Sequence, residues 1–542
     1  MTEAGHGNGG ALVVEWMRSR GLDTFFHVPG ESFLPVLDAL LDVPSIRVIT
    51  ARHEGGAAFA AEAFGKLTGR PAVCMATRGP GAANLSIGIQ TAHYDGTPMI
   101  ALLGLVPRRL QGSGAFQEVD PVSMFAPIAK TVLVVNALDA LIPVLDQARS
   151  TALAGRPGPA VVGFPADVLF ETAAAGVPAL YAGPGVPARF DPEVILTRLR
   201  AARRPVILAA TEAVRGATAE ALKDLAEATG VPVYCSWRRF SCFDNDHELF
   251  AGSVGLGAAA AVTEALAEAD LVLCFGFALE QVTCESARLG SAGTHVIQFA
   301  PATDPRVPRY LPGTEVEQVI SDPRHAAQAL AAAVRETRSS RRIRATIRNE
   351  RPAQAPCGAA GEQAVRMEHV MSCLDAMLPA DAIVTSDAGN FAQWMLRHIG
   401  FGGQRTFIGP LNGAMGYGLP AAVGAGVAAS GRPCWVLAGD GGFAMLEAEM
   451  ETAARLGLSV VACVFDNGLY GTIRARQEQA FPGRAFGTDT GRVDFAAAAR
   501  AHGWLGWTAE KDASVETVLA EVSAATGCRL AHFIVEPFPL AV

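Results

Sequence analysis

The amino-acid sequence predicts an α/β protein with three domains, each built on an open, mainly parallel sheet flanked by helices. Short apolar runs of strand length alternate with alanine-rich amphipathic stretches of helix length, a pattern typical of parallel sheets. The chain has 542 residues, which is too many for one ordinary hydrophobic core. Two segments rich in Gly, Pro and Ala divide it into three blocks.

The predicted domains comprise residues 1–175, 190–340 and 364–542, with a linker over residues 341–363. The strand-like runs are SIRVIT, PAVCMAT, PMIALLGL and PAVVGFP in the first block, RPVILAA, DLVLCFGF and THVIQFA in the second, and DAIVTSD, PCWVLAGD, SVVACVFDN and AHFIVEPF in the third. The first and third blocks share a layout, because both place glycine-rich strand ends before long alanine-rich helices.

Composition excludes several classes of protein. Half of the residues are hydrophobic and 18% are charged, which indicates a well-packed chain and not a disordered one. The net charge of −9 argues against a broad nucleic-acid surface. No signal peptide is evident, and no apolar run approaches the roughly 20 residues that span a bilayer.

The ten cysteines are scattered, and no pair has C-x-x-C spacing. The sequence therefore indicates neither a zinc site nor a disulfide framework. We expect the cysteines to be small buried side chains in a reducing cytoplasm.

Two strand ends of the third block carry oxygen donors beside glycines. Asp440 follows the strand CWVLAG and Asn467 follows VVACVFD, with the 24 residues 442–465 between Gly441 and Asp466. Parallel strands present their carboxyl ends to ligands at one edge of the sheet, and a helix that starts there favours an anion. Carboxylate and amide oxygens suit Mg²⁺, so the stretch predicts a Mg²⁺-bridged diphosphate. The alternative is a Gly-Asp-Gly turn and an unrelated Asn-Gly turn.

This spacing resembles the diphosphate motif of thiamine diphosphate (ThDP) enzymes, with Asp466-Asn467 where the family usually has two asparagines. The resemblance implies Asp440, Asn467 and the Leu469 carbonyl as metal ligands. It further implies cofactor contacts near the diphosphate at Asn390, Gly439, Gly441 and Gly442.

The first block adds a glutamate. Glu54 follows the strand IRVIT, and alone it would be read as a charge at a helix N-terminus. The segments VPGESF, TRGPGAANLSIGIQTAHYDG, GSGAFQEVD and LNGAMGYGLPAAVGA are, however, similar to the acetolactate synthase group of ThDP enzymes. That resemblance implies that Glu54 hydrogen-bonds N1′ of the aminopyrimidine and promotes loss of the C2 proton. The other implied contacts of the ring are Pro29, Thr77, Pro80, Asn84, Gly413 and Met415.

The same resemblance implies a pyrimidine-binding (PYR), a central Rossmann-like and a diphosphate-binding (PP) domain. It implies a homodimer or homotetramer with active sites at the subunit interface. The central domain departs from the group, because FALEQVT replaces the usual Arg-Phe-Asp-Asp-Arg segment. FAD is compatible with the glycine-rich GSVGLGAAAA but is not favoured.

The expected activity is decarboxylation of pyruvate or a similar 2-oxo acid and ligation of the remaining unit to a second carbonyl, an aldehyde or another 2-oxo acid. Phe116 and Gln117 are expected near the substrate. Glu31 stands where pyruvate decarboxylase-like enzymes place an acid, so an aldehyde-releasing 2-oxo acid decarboxylase or 2-hydroxyacyl lyase is an alternative; Glu31 could equally cap a helix. Arg474 and Arg476 could bind a carboxylate or be solvated.

A different class is a catalytically silent ThDP-binding regulatory subunit. Intact Glu54, Asp440 and Asn467 argue against it.

Overall fold

The computed structural model describes residues 7–173, 190–210, 217–290, 293–336 and 364–537. The predicted linker and Cys357 lie outside these residues, as does most of the first Gly/Pro-rich segment. The chain forms two compact units. The first unit comprises Met1–Pro184, Val423–Ala428 and Leu446–Leu456, and the second comprises Gly185–Ala422, Ala429–Met445 and Gly457–Val542.

The first unit contains a six-stranded sheet. The strands of the unit are β1 Gly7–Asn8, β2 Thr24–His27, β3 Arg47–Thr50, β4 Ala72–Thr77, β5 Met99–Leu105, β6 Thr131–Val134, β7 Pro159–Pro165 and β8 Thr172–Ala173. The sheet has the order β3-β2-β4-β5-β7-β6 and is parallel throughout, while β1 and β8 form a separate antiparallel pair. Strands β5 and β7 are buried along their whole length, because helices cover both faces of the sheet.

The helices of this unit explain the alanine-rich sequence. They are α1 Gly9–Ser19, α2 Leu34–Leu41, α3 Glu54–Thr68, α4 Arg78–Asp95, α5 Pro121–Phe125, α6 Leu141–Leu153 and α7 Ala166–Phe170, with short 3-10 turns at Glu31–Phe33, Arg108–Leu110 and Leu138–Ala140. Helices α3 and α4 touch so closely that a Cβ on Gly88 would lie 2.3 Å from that of Ala58. Larger side chains at this crossing would force the two helices apart.

The second unit contains two sheets, of which the first in sequence is the central one. Its strands are β9 Pro205–Ala210, β10 Val233–Cys235, β11 Phe250–Ser253, β12 Leu271–Gly276, β13 His295–Ala300 and β14 Glu315–Ile320. Its helices are α8 Pro192–Ala201, α9 Ala217–Thr229, α10 Ala260–Ala267, α11 Gln281–Ser286, α12 Val307–Tyr310 and α13 Pro323–Glu336. The parallel order β11-β10-β9-β12-β13-β14 is the Rossmann order, as predicted.

The third sheet repeats the topology of the first. Its strands are β15 Ile383–Ser386, β16 Thr406–Ile408, β17 Cys434–Gly439, β18 Val460–Asp466, β19 Leu505–Ala509 and β20 Arg529–Ile534. The helices of the C-terminal sequence are α14 Met367–Met377, α15 Phe391–His398, α16 Gly418–Ala428, α17 Asp440–Phe443, α18 Glu449–Arg455, α19 Gly471–Ala480, α20 Phe495–Ala501 and α21 Asp512–Ala524. Of these, α18 and the end of α16 belong to the first unit. The order β16-β15-β17-β18-β20-β19 is again parallel throughout.

The predicted fold class is thus confirmed, with three six-stranded parallel sheets flanked by helices. In the part of the chain that the structure covers, no helix combines the length and the apolar character needed to cross a bilayer.

The cysteines behave largely as predicted. Of the nine described cysteines, eight are buried and Cys373 is partly exposed. Cys373 lies with His369 and Glu516 so that one ligand atom of each falls within 4.8 Å of the others. Spacing rules for cysteine pairs miss this group, because a His and a Cys four residues apart share one helix face.

Candidate active site

A cavity of about 340 Å³ lies in the second unit, at the carboxyl end of the third sheet. Strand order reverses between β15 and β17, since β16 lies on the far side of β15, and ligands bind at such switch points. All the cofactor and metal contacts predicted in the third block line this cavity: Asn390, Gly413, Met415, Gly439, Asp440, Gly441, Gly442, Asn467 and Leu469.

Asp440 begins α17 directly after β17. Burial, and after it the negative charge of Asp466, raises the pKa of Asp440 to about 6. Thr490 Oγ1 donates to Asp440 Oδ2 at 3.3 Å. The two neighbouring carboxylates leave negative charge poorly compensated, which is the electrostatic condition that favours a bound cation.

Asp466 stands where the family usually has an asparagine, and both of its carboxylate oxygens contact groups of the protein. Its Oδ2 lies 3.0 Å from His532 Nε2, and its Oδ1 accepts from Gly468 N–H at 2.8 Å. The effect of this substitution is therefore on local hydrogen bonding, while Asn467 stands at the edge of the cavity.

Asn467 shapes the turn that follows β18. Its Oδ1 accepts from Leu469 N–H at 3.0 Å, and Gly468 between them has a φ of +68°. A carboxamide oxygen has a second lone pair, so Oδ1 can also ligate a metal while this bond is kept.

Asn390 adds an unsatisfied donor. It is buried, its Oδ1 accepts from Thr472 Oγ1 at 2.5 Å, and its Nδ2 has no hydrogen-bond partner among the described residues. A Cβ on Gly471 would lie 3.0 Å from Asn467 Nδ2 and 3.3 Å from Asn390 Nδ2. Two side-chain amides therefore converge where Gly471 leaves space, an arrangement suited to an anionic ligand.

The glycines of the motif are required by packing. A Cβ on Gly441 would lie 2.7 Å from the Tyr470 ring, and one on Gly442 would lie 2.7 Å from Asp387 Oδ2. The sequence suggested a helix start as the source of anion affinity, but α17 is only four residues long. The glycines are thus needed because other side chains pack closely against their backbone. The short helix contributes little dipole to the binding of an anion.

Asp387 was not among the residues predicted from the sequence. Its Oδ1 accepts from Gly418 N–H at 3.0 Å, and its Oδ2 has no hydrogen-bond partner in the part of the chain that the structure describes. Burial raises the pKa of Asp387 to about 7. An acid directly after the apolar run AIVTS was the signal, the same one that identified Asp440. Trp237, Arg238 and Leu256 of the middle block also line the cavity, and no motif pointed to them.

Glu54 occupies the start of α3 in the first unit. His53 caps this helix, its Nδ1 accepting from Gly55 N–H at 2.9 Å. Asn84 Nδ2 donates to Glu54 Oε2 at 2.9 Å, so two predicted residues are in direct contact.

The buried Glu449, from the segment of the C-terminal sequence that belongs to the first unit, holds the chain just ahead of Glu54. Its Oε1 accepts from Arg52 N–H at 3.1 Å and from His53 N–H at 3.0 Å. A Cβ on Gly56 would lie 2.3 Å from the same oxygen. Burial raises the pKa of Glu449. Sequence reasoning missed it, because an acid in an amphipathic helix resembles a surface charge.

Pro29, Thr77 and Pro80 lie at the switch point of the first sheet, where Pro29 follows β2, Thr77 ends β4 and Pro80 lies in the first turn of α4. Both prolines are exposed. Thr77 Oγ1 is 2.7 Å from Ser32 Oγ, a contact that ties the two strand ends together.

Glu31, Arg78 and Gln117 gather beside this switch point. Phe33 is the N-cap of α2, and Gly30 is the N-cap of the turn that begins at Glu31, so the alternative role of Glu31 as a helix cap is wrong. The Glu31 side chain is 84% exposed, with Oε2 3.9 Å from Arg78 Nη2. Gln117 Oε1 lies 3.5 Å from Arg78 Nη1, whereas its neighbour Phe116 is exposed.

The arginines after the metal motif match the solvated alternative. Helix α19 has no buried residue, and Arg474 lies 3.8 Å from Glu478 and 3.6 Å from Asp489. Arg476 is exposed, and neither arginine is among the residues that line the cavity.

In the central domain, the segment that departs from the usual FAD motif is used in folding. Glu280 is buried and caps α11, accepting from Val282 N–H at 2.7 Å and Thr283 N–H at 2.8 Å.

Comparison with known proteins covers nearly the whole chain. Residues 7–124 match the profile "Thiamine pyrophosphate enzyme, N-terminal TPP binding domain", residues 193–330 its central domain and residues 387–533 its C-terminal TPP binding domain.

Full-length relatives agree with these domain matches. The acetolactate synthase of Mycobacterium bovis is 30% identical over 540 residues, 96% of this chain and 86% of the relative. The catabolic acetolactate synthase of Raoultella terrigena is 32% identical over 94% of this chain and 92% of its own. The acetolactate synthase isozyme 2 large subunit of Escherichia coli is 29% identical over 98% and 96%. With three domain matches in the expected order and relatives that span its length, the chain belongs to the thiamine pyrophosphate enzyme family, in the acetolactate synthase-like group.

Proposed function

We propose that the protein is a ThDP- and Mg²⁺-dependent carboligase that decarboxylates pyruvate or a similar 2-oxo acid and joins the remaining unit to a second carbonyl compound. The observation that carries this proposal is the cavity of the third sheet, where Asp440, Asn467 and the Asn390 amide converge. The relatives named acetolactate synthase support the reaction class.

Asp440, Asn467 and the Leu469 carbonyl would hold Mg²⁺. The raised pKa of Asp440 supports this role, because a nearby cation would offset both the burial of this carboxylate and the repulsion from Asp466. The unpartnered Asn390 Nδ2 and the space left by Gly471 would receive the diphosphate. The hard oxygen donors and the amide donors fit a magnesium diphosphate.

Bound ThDP supplies an electron sink that lets a 2-oxo acid lose CO₂ and react as an acyl anion equivalent. Glu54 would hydrogen-bond the aminopyrimidine and move its proton. Asn84 fixes one oxygen of that carboxyl, and Glu449 fixes the backbone that carries it, so the acid is held in one orientation before substrate arrives.

The remaining cofactor contacts, Pro29, Thr77, Pro80, Gly413, Met415, Gly439, Gly441 and Gly442, belong to the same proposal. So do Gln117 near the substrate, a cytoplasmic location, and a homodimer or homotetramer with active sites at the subunit interface. The buried cysteines support a reducing compartment.

The decisive experiment is product analysis with ThDP and Mg²⁺. Pyruvate, other 2-oxo acids and aldehydes are supplied singly and in pairs, and the products are identified by mass spectrometry. Ligated products such as acetolactate or acetoin are expected. Exclusive aldehyde release would contradict the proposal, as would the absence of turnover with every substrate.

A second candidate is an aldehyde-releasing decarboxylase or lyase. The exposed carboxylate of Glu31 at the switch point favours it, since an acid there could protonate a reaction intermediate. Replacing Glu31 with Gln would then lower aldehyde release and spare ligation.

The purified protein is expected to be colourless, because FAD is not favoured in the central domain. Flavin absorbance would contradict this interpretation of the central domain.

A further inference from the structure

We propose that Arg78 binds the carboxylate of the acceptor 2-oxo acid, the carboxylate that is kept in the ligated product. The inference rests on the proposed carboligase function and identifies the residue that would select a 2-oxo acid over a neutral aldehyde as the second substrate. Four points support it, and the first three are structural features of the first unit.

The first feature is position. Arg78 directly follows β4, and Glu31 lies beyond the end of β2 on the other side of the switch point. Ligands bind at this place in open parallel sheets. Thr77 and Pro80, both expected near the cofactor, are its close neighbours in sequence.

The second feature is backbone strain. Arg78 has a φ of +47° and Gln117 a φ of +62°, in a region that residues other than glycine rarely adopt. The two segments are joined, because Gly79 N–H donates to the Gln117 carbonyl at 2.8 Å and a Cβ on Gly79 would lie 3.0 Å from that oxygen. Strained backbone held by its surroundings clusters at functional sites.

The third feature is the loose engagement of the guanidinium. Its contacts with Glu31 and Gln117 are 3.9 Å and 3.5 Å long, and Nε is buried without a hydrogen-bond partner in the described part of the chain. An arginine whose role was to neutralise Glu31 would be expected in a short bidentate pair, whereas Glu31 is mostly exposed. The Arg78 side chain is 18% exposed, so part of the cation remains accessible.

The fourth feature is chemical. A cation that held the carboxylate lost as CO₂ would stabilise the reactant more than the transition state and slow decarboxylation. The carboxylate of the acceptor persists through the reaction, so a fixed arginine can hold it and orient its carbonyl without that cost. Arg474 and Arg476 do not line the cavity of the third sheet and are engaged or solvated elsewhere.

The test uses the full-length protein with ThDP and Mg²⁺, with pyruvate as donor. Two acceptors compete: a second 2-oxo acid such as 2-oxobutyrate, and acetaldehyde, which has no carboxylate. The variants are Arg78→Gly, Arg78→Lys and, as a control for the lost charge, Arg109→Gly in an exposed turn of the same unit. Glycine is chosen because it accepts a positive φ, so the variant relieves strain and is expected to fold.

In Arg78→Gly, the ratio of products from the 2-oxo acid to those from acetaldehyde is expected to fall at least about tenfold, the usual effect of losing a charged hydrogen bond. CO₂ release in a single turnover and ThDP affinity should change little. Arg78→Lys should restore part of the ratio, and Arg109→Gly should leave it unchanged.

An unchanged product ratio in Arg78→Gly would overturn the assignment, and so would a parallel loss of CO₂ release with both acceptors. Failure of the broader proposal looks different, since the unmodified protein would then form no ligated product with either acceptor.

Discussion

The first and third sheets have the same strand order and parallel pairing, yet different residues occupy their switch points. After β17 and β18 the third sheet carries Asp440 and Asn467. The equivalent strands of the first sheet, β4 and β5, are followed by Arg78 and Val106.

The difference shows that topology decides where a ligand can bind, whereas a few residues at the strand ends decide which ligand binds. Oxygen donors suit a metal-bound diphosphate at the third sheet. The first sheet instead offers Glu54, which follows the edge strand β3, and Arg78, which follows β4. Four predictions test this division of roles, in order of decreasing effect.

The largest effect is expected for Glu54→Gln. The amide cannot accept and return the proton, so turnover should fall by about 10²–10⁴-fold. Affinity for ThDP with Mg²⁺, measured by calorimetry, should remain close to that of the unmodified protein. Glu15→Gln, at a partly exposed position in α1, is the matched control. Equal turnover rates for Glu54→Gln and its control would show that Glu54 of the first unit takes no part in the reaction.

Asp440→Asn should act on binding. Loss of the carboxylate weakens the metal site, and Mg²⁺-dependent ThDP affinity is expected to fall at least about tenfold, by analogy with lost charge-assisted contacts. Asp489→Asn, with a side chain that is 74% exposed, is the control. Retention of tight, Mg²⁺-dependent binding in Asp440→Asn would show that the cation lies elsewhere.

Glu449→Ala should destabilise the first unit. The change removes the acceptor of two part-buried hydrogen bonds, those from the N–H groups of Arg52 and His53, at a cost of about 0.5–1.5 kcal/mol for each bond. Hydrogen exchange of the α3 region reports the local loss. Glu447→Ala, at a partly exposed position, is the control, and equal exchange in the two variants would argue that Glu449 does not hold this loop.

The smallest effect is in the response to pH. Burial, with a contribution from Arg455, lowers the pKa of His27 in the first sheet to about 4 from its ordinary 6.5. The unfolded chain then binds the extra proton, so the first unit should lose stability as pH falls from 6.5 towards 4.

The effect of Asp440 on stability has the opposite dependence on pH, because the pKa of Asp440 in the folded state lies above its ordinary value of 3.8. Without metal, the third sheet should lose stability as pH rises from 4 to 6, since the folded state holds the extra proton. Each effect is at most about 1.4 kcal/mol per pH unit, and hydrogen exchange resolved by region separates them. If the stability of the two sheets changed with pH in the same way, the predicted opposite effects of His27 and Asp440 would be contradicted.

Much of the fold and part of the site could be predicted from sequence. Apolar runs between amphipathic stretches predict parallel sheets, because strands covered on both faces bury nearly every side chain. Asp440 and Asn467 were found because they directly follow such runs. Family resemblance alone placed Asn84 and Glu54 near the same ring, and the hydrogen bond between them, across 30 residues of sequence, came from the structure.

The sequence by itself determined the class of fold, the two candidate strand ends and the family, because these depend on periodicity and on residues close together in the chain. Only the tertiary structure decided that Glu449 supports the loop before Glu54, that Asp387 lies against Gly442, and that Arg78 and Gln117 are strained together. These contacts join residues 39 to almost 400 positions apart, and their energies depend on burial and on distances that no local pattern encodes.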